Sequence, residues 1–386
     1  MKSLKLILSK QRYFAPAFVF ASINILLGTW VIYIPRVRSD LGLDDGQLGV
    51  ALFFYALGVM FMLPLIPMLT KSLGTGRATI YGLILFALAF TLPLMAPNYI
   101  MLCAALFITG AFSGGTDVAM NALVSDIEKT DGVSFMSAAH GFFSLGGVIG
   151  AGLGGMIFHL FEVPVFHMIL VSGLVLLINA FLMRNYISIK GQHESSNKES
   201  FSLSKLSPLF GLAFVGFVIM GSEGAIEHWS KLYLLDVVEI TSEQLAGYGY
   251  IIFSIAMTIG RFFGDGISDR FGSYRIITYG ILIAILGFLL ILIKTFLFVI
   301  VGFGLVGLGL SVVIPELFRI AGQSKDISTS LSISFVSGIG FAGFLLGPVI
   351  LGYISDVADL HVSFMALLTL SIVAFLFSII ISRSAK

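Results

Sequence analysis

The sequence is poor in cysteine, tryptophan and charge. Cys103, its one cysteine, lies in an apolar run, which excludes an internal disulfide and a multi-cysteine metal site. Lys, Arg, Asp and Glu make up 11% of the 386 residues, where soluble domains carry about 25%. Charge this sparse leaves no room for a soluble catalytic domain. With 22 basic against 21 acidic residues the net charge is +1, so there is no basic surface for nucleic acid. The patterns G-x-x-x-x-G-K-[ST], H-E-x-x-H and G-x-S-x-G do not occur. Nothing therefore points to ATP-driven pumping or to a membrane-embedded hydrolase, and no cofactor or metal is expected. "GAGLGG" from Gly150 and "GFGLVG" from Gly302 fit the dinucleotide pattern G-x-G-x-x-G. Neither follows a strand; both lie inside apolar runs and read as glycines that let helices approach closely.

What the chain has in quantity is apolar: 58% of residues are hydrophobic, 36 of them Phe. Runs of about 20 apolar residues, the length that crosses a bilayer, recur along nearly the whole sequence. They predict an all-α membrane protein with twelve transmembrane helices, over residues 13–35, 47–70, 77–96, 99–123, 135–158, 165–183, 209–233, 246–266, 276–293, 295–318, 328–353 and 362–382. The basic start, "MKSLKLILSKQRY", looks superficially like a signal peptide. However, Tyr13 to Pro35 is too long for a signal core and shows no small-residue cleavage site, so a retained first span is expected. The longest polar stretch, Arg184 to Pro208, divides the chain. The expected domains are an N-terminal six-helix bundle (1–183), a cytoplasmic linker (184–208) and a C-terminal six-helix bundle (209–386). With both termini cytoplasmic, only Arg36, Arg38, Lys231 and Lys294 fall in outer loops, the distribution the positive-inside rule requires.

The halves echo one another. Trp30 and Trp229 close the first and seventh runs; "DGQLG" from Asp45 is answered by "SEQLAG" from Ser242; "KSLGTGR" from Lys71 faces "DRFGSYR" from Asp269. Gly146, Gly150 and Gly155 recur as Gly343, Gly347 and Gly352. An even number of spans separates the copies, so the repeats run in the same sense.

"GDGISDRFGSYR", Gly264 to Arg275, resembles the loop between helices two and three, repeated between eight and nine, of the major facilitator superfamily. Asp269, Arg270, Gly272 and Arg275 match that motif, while Asp265 stands where the family usually has glycine. The N-terminal copy, "PMLTKSLGTGR", has Lys71 in the acid position. The resemblance implies the twelve-helix fold of two parallel-repeat bundles that rock about a central site, and a loop whose charges hold the halves together in one state of the cycle. "DVAMN" (Asp117 to Asn121) and "HGFFSLG" (His140 to Gly146) are similar to motifs of the fourth and fifth helices in the fucose permease branch, sugar and proton symporters. Ser144 and Gly146 match; His140 stands where that branch carries an amide. "EGAIEHW", Glu223 to Trp229, resembles the seventh helix of uncharacterised bacterial inner-membrane members of the branch. One departure is the first helix, where the fucose permeases have a second carboxylate and Ala15 to Pro35 offers only Asn24 and Tyr33.

The intramembrane polar residues are the candidate site. Ser113, Asp117 and Asn121 share one helix face at i, i+4 spacing. A charged carboxylate at membrane depth costs a few kcal/mol on insertion scales, and a bound proton removes that cost. Asp117 is therefore the first candidate for proton coupling, with Asn121 presenting donor and acceptor to a substrate hydroxyl; alternatively Asp117 lies near the helix end and only fixes packing. Glu223 and Glu227 form a second pair on the seventh helix, as coupling groups or as ligands for hydroxyls, unless Glu227 with His228 already lies at the solvated outer interface. His140, with Ser137 and Ser144 on its face, can hydrogen-bond a substrate or serve as a packing residue. Asn24, Tyr248 and Tyr250 complete the candidate binding set. Glu316 and Arg319 read as an ion pair at the inner end of the tenth helix, and Arg261 as reaching inward to Asp265 and Asp269.

Together these predict a secondary transporter, and not an enzyme. The expected activity is proton-coupled import of a sugar or similar small hydroxylated solute, by a monomer embedded in the lipids of a bacterial inner membrane. One rival is an exporter of apolar or cationic drugs, which the 36 Phe and 14 Met would allow. A non-transporting sensor is the rival of another class, and the chain shows no appended signalling domain for it.

Overall fold

The computed structural model describes residues 2–43, 45–191, 206–324 and 327–384, and these residues form helices without a strand. Part of the central linker, residues 192–205, lies outside the described residues, as do Lys325 and Lys386. Eleven helices are long and apolar enough to span a bilayer: Gln11–Val31, Thr75–Met95, Tyr99–Asp131, Met136–Leu160, Pro164–Asn185, Ser207–Val237, Leu245–Phe271, Ser273–Ile291, Phe296–Gly322, Thr329–Val357 and Leu360–Arg383. The second span makes the twelfth. It is bent by 53° between Gln47–Met62 and Ile66–Leu73, where Pro64 and Pro67 interrupt the sequence. Proline lacks the N–H that continues the helical ladder, so a break there is expected.

Several boundaries differ from the sequence reading. The first span ends at Val31, and a short helix, Ile34–Asp40, follows it. The fourth helix runs on to Asp131, well past residue 123. Its last two turns, "SDIEKTD", are polar, and hydropathy stops before them. The backbone continues because those polar groups find partners on neighbouring helices. The eighth helix likewise extends to Phe271.

The chain divides into two compact units: Leu4–Glu199 with Ser328–Ser334, and Ser200–Ile327 with Phe335–Lys386 and Met1–Ser3. In the first, the fourth span packs on the second and third, and the first span on the fifth and sixth. In the second, the tenth packs on the eighth and ninth, and the twelfth on the seventh and ninth.

The repeated glycines mark equivalent helix crossings. A Cβ at Gly146 would lie 2.2 Å from the Ala21 carbonyl oxygen, and one at Gly150 2.2 Å from that of Ile25. In the other unit a Cβ at Gly343 would lie 2.1 Å from the Phe217 carbonyl oxygen, and one at Gly347 2.5 Å from that of Gly221. Without a hydrophobic effect to drive helices together inside lipid, such close backbone approach supplies the packing. The third repeat behaves differently: Gly155 faces open space, while Gly352 lies against the Trp229 ring. Gly74 and Gly272, one in each motif loop, share a backbone φ of 85°, a conformation that glycine adopts without steric cost.

Candidate functional site

The N-terminal unit holds one polar line. The fourth helix is capped at its start by Asn98, whose side chain accepts from the Met101 N–H at 3.0 Å, and it carries Ser113, Asp117 and Asn121 on one face as expected. Ser113 Oγ accepts from the Tyr55 hydroxyl at 2.7 Å. Asp117 is half-buried, so its carboxyl is neither sealed in the bundle nor on the open surface. Asn121 is wholly buried; its Nδ2 donates to the Asp117 carbonyl at 2.9 Å, and its Oδ1 lies 3.0 Å from His140 Nε2. That contact joins the fourth helix to the fifth and holds the imidazole edge-on to Phe20, with ring centroids 5.1 Å apart.

Asn121 and His140 thus come together, while Asp117 joins them through its main-chain carbonyl and its place on the same helix face. Asn24 approaches the same pair of helices from the first span, where its Nδ2 donates to the Phe143 carbonyl at 2.9 Å. Ser144 Oγ is turned back toward the His140 carbonyl at 3.4 Å. Both Asn24 and Ser144 remain half-buried.

The C-terminal unit holds a second set. Glu223 Oε1 lies 3.4 Å from Arg261 Nη2, a partner on the seventh helix that the sequence reading had not given to Arg261. Asp265 is gripped by Arg319, which also binds Glu316 and donates to Ser268 Oγ at 3.3 Å. Asp265, Glu316 and Arg319 are all buried. Asp269, Arg270 and Arg275, the charges that match the family loop, are exposed. So the residue that departs from the motif, Asp265, is the one that carries the buried contact. Glu227, Tyr248 and Tyr250 are exposed, and the His228 ring lies 2.7 Å from the Gly224 carbonyl. Among the described residues no hydrogen bond or ion pair joins Tyr248 to Glu223. Among the described residues no three His, Cys, Asp or Glu side chains gather as a metal site.

Sequence reasoning passed over the end of the fourth helix. Asp126 accepts from Thr75 Oγ1 at 2.9 Å, at the start of the third span. Glu128 Oε1 accepts from the backbone N–H groups of Phe135 and Met136 at 2.6 and 2.7 Å, at the start of the fifth. Asp131 takes a two-pronged bond from Arg12, at the start of the first. Three acids in six residues of an apolar chain were the available signal.

The family description "Major Facilitator Superfamily" matches residues 13–324 and again 232–386. The chain belongs to the major facilitator superfamily. As a member it is a multi-pass membrane transporter of small molecules and not an enzyme. An uncharacterised transporter of this superfamily from Yersinia pestis is 32% identical over 361 residues, covering 93% of this chain and 92% of that protein. The quinolone resistance protein NorA of Staphylococcus aureus is 23% identical over 373 residues, covering 89% of each. The crystal structure of the E. coli fucose:proton symporter FucP superimposes with a TM-score of 0.79 at 18% identity, covering 95% of this chain and 97% of that one. At that identity the likeness is one of fold, and it matches the parallel-repeat architecture expected from the sequence.

Proposed function

We propose that this transporter imports a sugar or similar small hydroxylated solute together with protons, by alternating access. The observation that carries the reading is the set Asp117, Asn121 and His140: a half-buried carboxyl whose helix face continues into a fully buried amide and an imidazole. Neutral hydroxylated ligands need donors and acceptors held in place within an apolar wall, and this set supplies both. Asp117 takes the proton, since a carboxylate charged at membrane depth is costly and intramembrane ionisable groups are functional by default. Asn24, Asn121, His140, Ser144, Glu223, Glu227 and Tyr248 are the candidate solute-binding side chains. Asp269, Arg270, Gly272 and Arg275 form the loop that favours one state of the cycle. The protein works as a monomer in a bacterial inner membrane, with both termini in the cytoplasm.

The test is ligand-dependent thermal stabilisation of the purified protein, against neutral sugars, polyols, amino acids and lipophilic cations. A ligand at 100 times its Kd stabilises the native state by about 2.7 kcal/mol. Stabilisation by one class of sugars or polyols supports the reading. Stabilisation by lipophilic cations alone overturns it in favour of drug export. That second reading draws on the likeness to NorA and on an apolar groove of ≈ 440 Å³ in the N-terminal unit, lined by Met62, Ile66, Tyr81 and Phe112 among others.

A further inference from the structure

Tyr55 of the second span has no part in the solute site proposed above, yet it reaches the helix face that carries Asp117. Its hydroxyl donates to Ser113 Oγ at 2.7 Å, and Ser113 lies one turn before Asp117 on that face. The backbone fixes where this contact falls. A Cβ at Gly110 would lie 1.9 Å from the Tyr55 carbonyl oxygen, and one at Gly114 2.9 Å from Val59 Cα, so the second and fourth helices touch main chain to main chain at Tyr55. The ring itself rests near that of Phe90, a buried residue of the third span, with centroids 6.4 Å apart.

Ser113 differs from its neighbours in where its own proton goes. Thr109, Thr116 and Thr130 of the same helix each donate to the carbonyl four residues back, at 2.7 to 2.8 Å, a common use of a hydroxyl inside a helix. Ser113 makes no such bond; among the described residues its one hydrogen bond is the one it accepts from Tyr55. The serine therefore still has a proton to give. Asp117 is its counterpart, for among the described residues its carboxyl meets no donor and no cation, and Tyr55 lies within its electrostatic reach. Helical side chains lean toward the N-terminus, so the Asp117 side chain extends back over the turn that holds Ser113. A neutral carboxyl tolerates such isolation at modest cost. A carboxylate does not, because a charge taken out of water needs hydrogen bonds.

The other titratable groups around the fourth helix are engaged elsewhere or exposed. Arg12 and Tyr13 of the first span face Asp131, and His140 of the fifth meets Asn121. Asp126 meets Thr75, Glu128 the start of the fifth helix, and Lys129 donates to Thr329. Lys71 of the second span and Arg77 and Tyr81 of the third are exposed.

We propose that Tyr55 positions Ser113 as the hydrogen-bond donor to the Asp117 carboxylate in the step at which Asp117 has lost its proton. The inference rests on the reading of Asp117 as the coupling group and supplies what that reading lacks, a partner for the charged form. The Tyr55 O–H donates to Ser113 Oγ, and the Ser113 O–H donates to an Asp117 oxygen. Hydrogen bonds in series polarise one another, so accepting from Tyr55 makes the serine a better donor. Asp117 reaches it by a change of side-chain rotamer, with the helices unmoved, and lets go when the proton returns. Tyr55 is a positioning residue, acting on Asp117 only through Ser113. Without its phenol, Ser113 turns back to the Thr109 carbonyl as its neighbours do to theirs, and its proton is no longer offered.

The test follows the infrared carbonyl band of protonated Asp117 over a pH series, taken as the difference between the purified full-length protein and Asp117→Asn. Removing a donor from the ionised form favours the protonated one. In Tyr55→Phe and in Ser113→Ala the band should therefore persist to a pH about one unit higher than in the parent. The double variant should match Ser113→Ala alone, because the tyrosine acts through the serine. Tyr55→Phe keeps the ring beside Phe90, so it carries the test even where thermal unfolding shows Ser113→Ala to be misfolded. A Tyr55 that only packs would lower the unfolding temperature and leave the pH range of the band alone. That result in folded Tyr55→Phe, or a double variant shifted by the sum of the two singles, overturns the proposal and leaves the coupling role of Asp117 standing. An Asp117 that never ionises across the series would overturn both.

Discussion

The Tyr33 hydroxyl lies 2.9 Å from His167 Nδ1, tying the end of the first span to the start of the sixth. Half a chain later Tyr233 repeats the contact with His361 Nδ1 at 3.1 Å, between the seventh and twelfth spans, and also donates to the Ile291 carbonyl. Both tyrosines are buried, and the His167 ring stacks on Phe161 at 4.7 Å. With His167 Nε2 meeting no partner, Tyr33 supplies the ring's polar contact. Tyr33→Phe should therefore cost about 1–3 kcal/mol, the range for stranding a buried polar group. A lowered unfolding temperature in detergent is the expected reading, with Tyr233→Phe at least as damaging. Unchanged melting in both would mean the paired contacts carry no stability.

The glycine crossings give a sharper contrast. Gly146→Ala and Gly343→Ala place a methyl group about 2 Å from a carbonyl oxygen, closer than any real contact, so the first and fifth, or seventh and eleventh, helices must separate. Both variants should fold poorly or not at all, seen as loss of the monodisperse species on size exclusion. Gly155→Ala, which meets nothing within 4 Å, should match the parent protein in the same assay.

Glu128 anchors the start of the fifth helix through two backbone N–H groups on a single oxygen. Hydrogen bonds to charged groups are worth about 1.5–3 kcal/mol each. Glu128→Ala should destabilise by about 2–4 kcal/mol in denaturant or thermal unfolding. Glu128→Gln, which keeps the accepting oxygen, should lose clearly less. Equal losses would show that the carboxylate charge, and not the acceptor, matters.

Within the candidate site, Asn121→Ala removes the group that holds His140 Nε2. A loss of about 1–3 kcal/mol of ligand stabilisation, or roughly 5–150-fold in Kd, is expected once a stabilising solute is known. Isothermal titration of that solute reads it directly, and an unchanged Kd would remove Asn121 and His140 from the site.

Much of this was legible in the sequence because hydropathy and repeats are local or evenly spaced signals. The twelve spans, the matching glycines, and the neighbours Glu316 and Arg319 all fall in that class. The Asp117–Asn121 spacing was legible as a helix face, and His140 as a polar residue on the next helix; their junction was not, since the sequence does not say which faces meet. The Tyr33–His167 and Tyr233–His361 pairs join residues 134 and 128 positions apart, and no single-chain pattern reports that. Arg261 illustrates the limit. Its depth suggested the acids below it, whereas its contact with Glu223, on another helix, had no local signal. The extended end of the fourth helix was missed for the same reason: its polar residues belong in a helix only because Thr75, Arg12 and the start of the fifth span are there to receive them.

The central claim is that Asp117 couples solute to protons. Its most direct test is accumulation of a stabilising solute in proteoliposomes under an imposed pH gradient, comparing the parent protein with Asp117→Asn. The account predicts uphill accumulation by the parent, and in the variant solute exchange without accumulation. Accumulation by Asp117→Asn equal to that of the parent would contradict it.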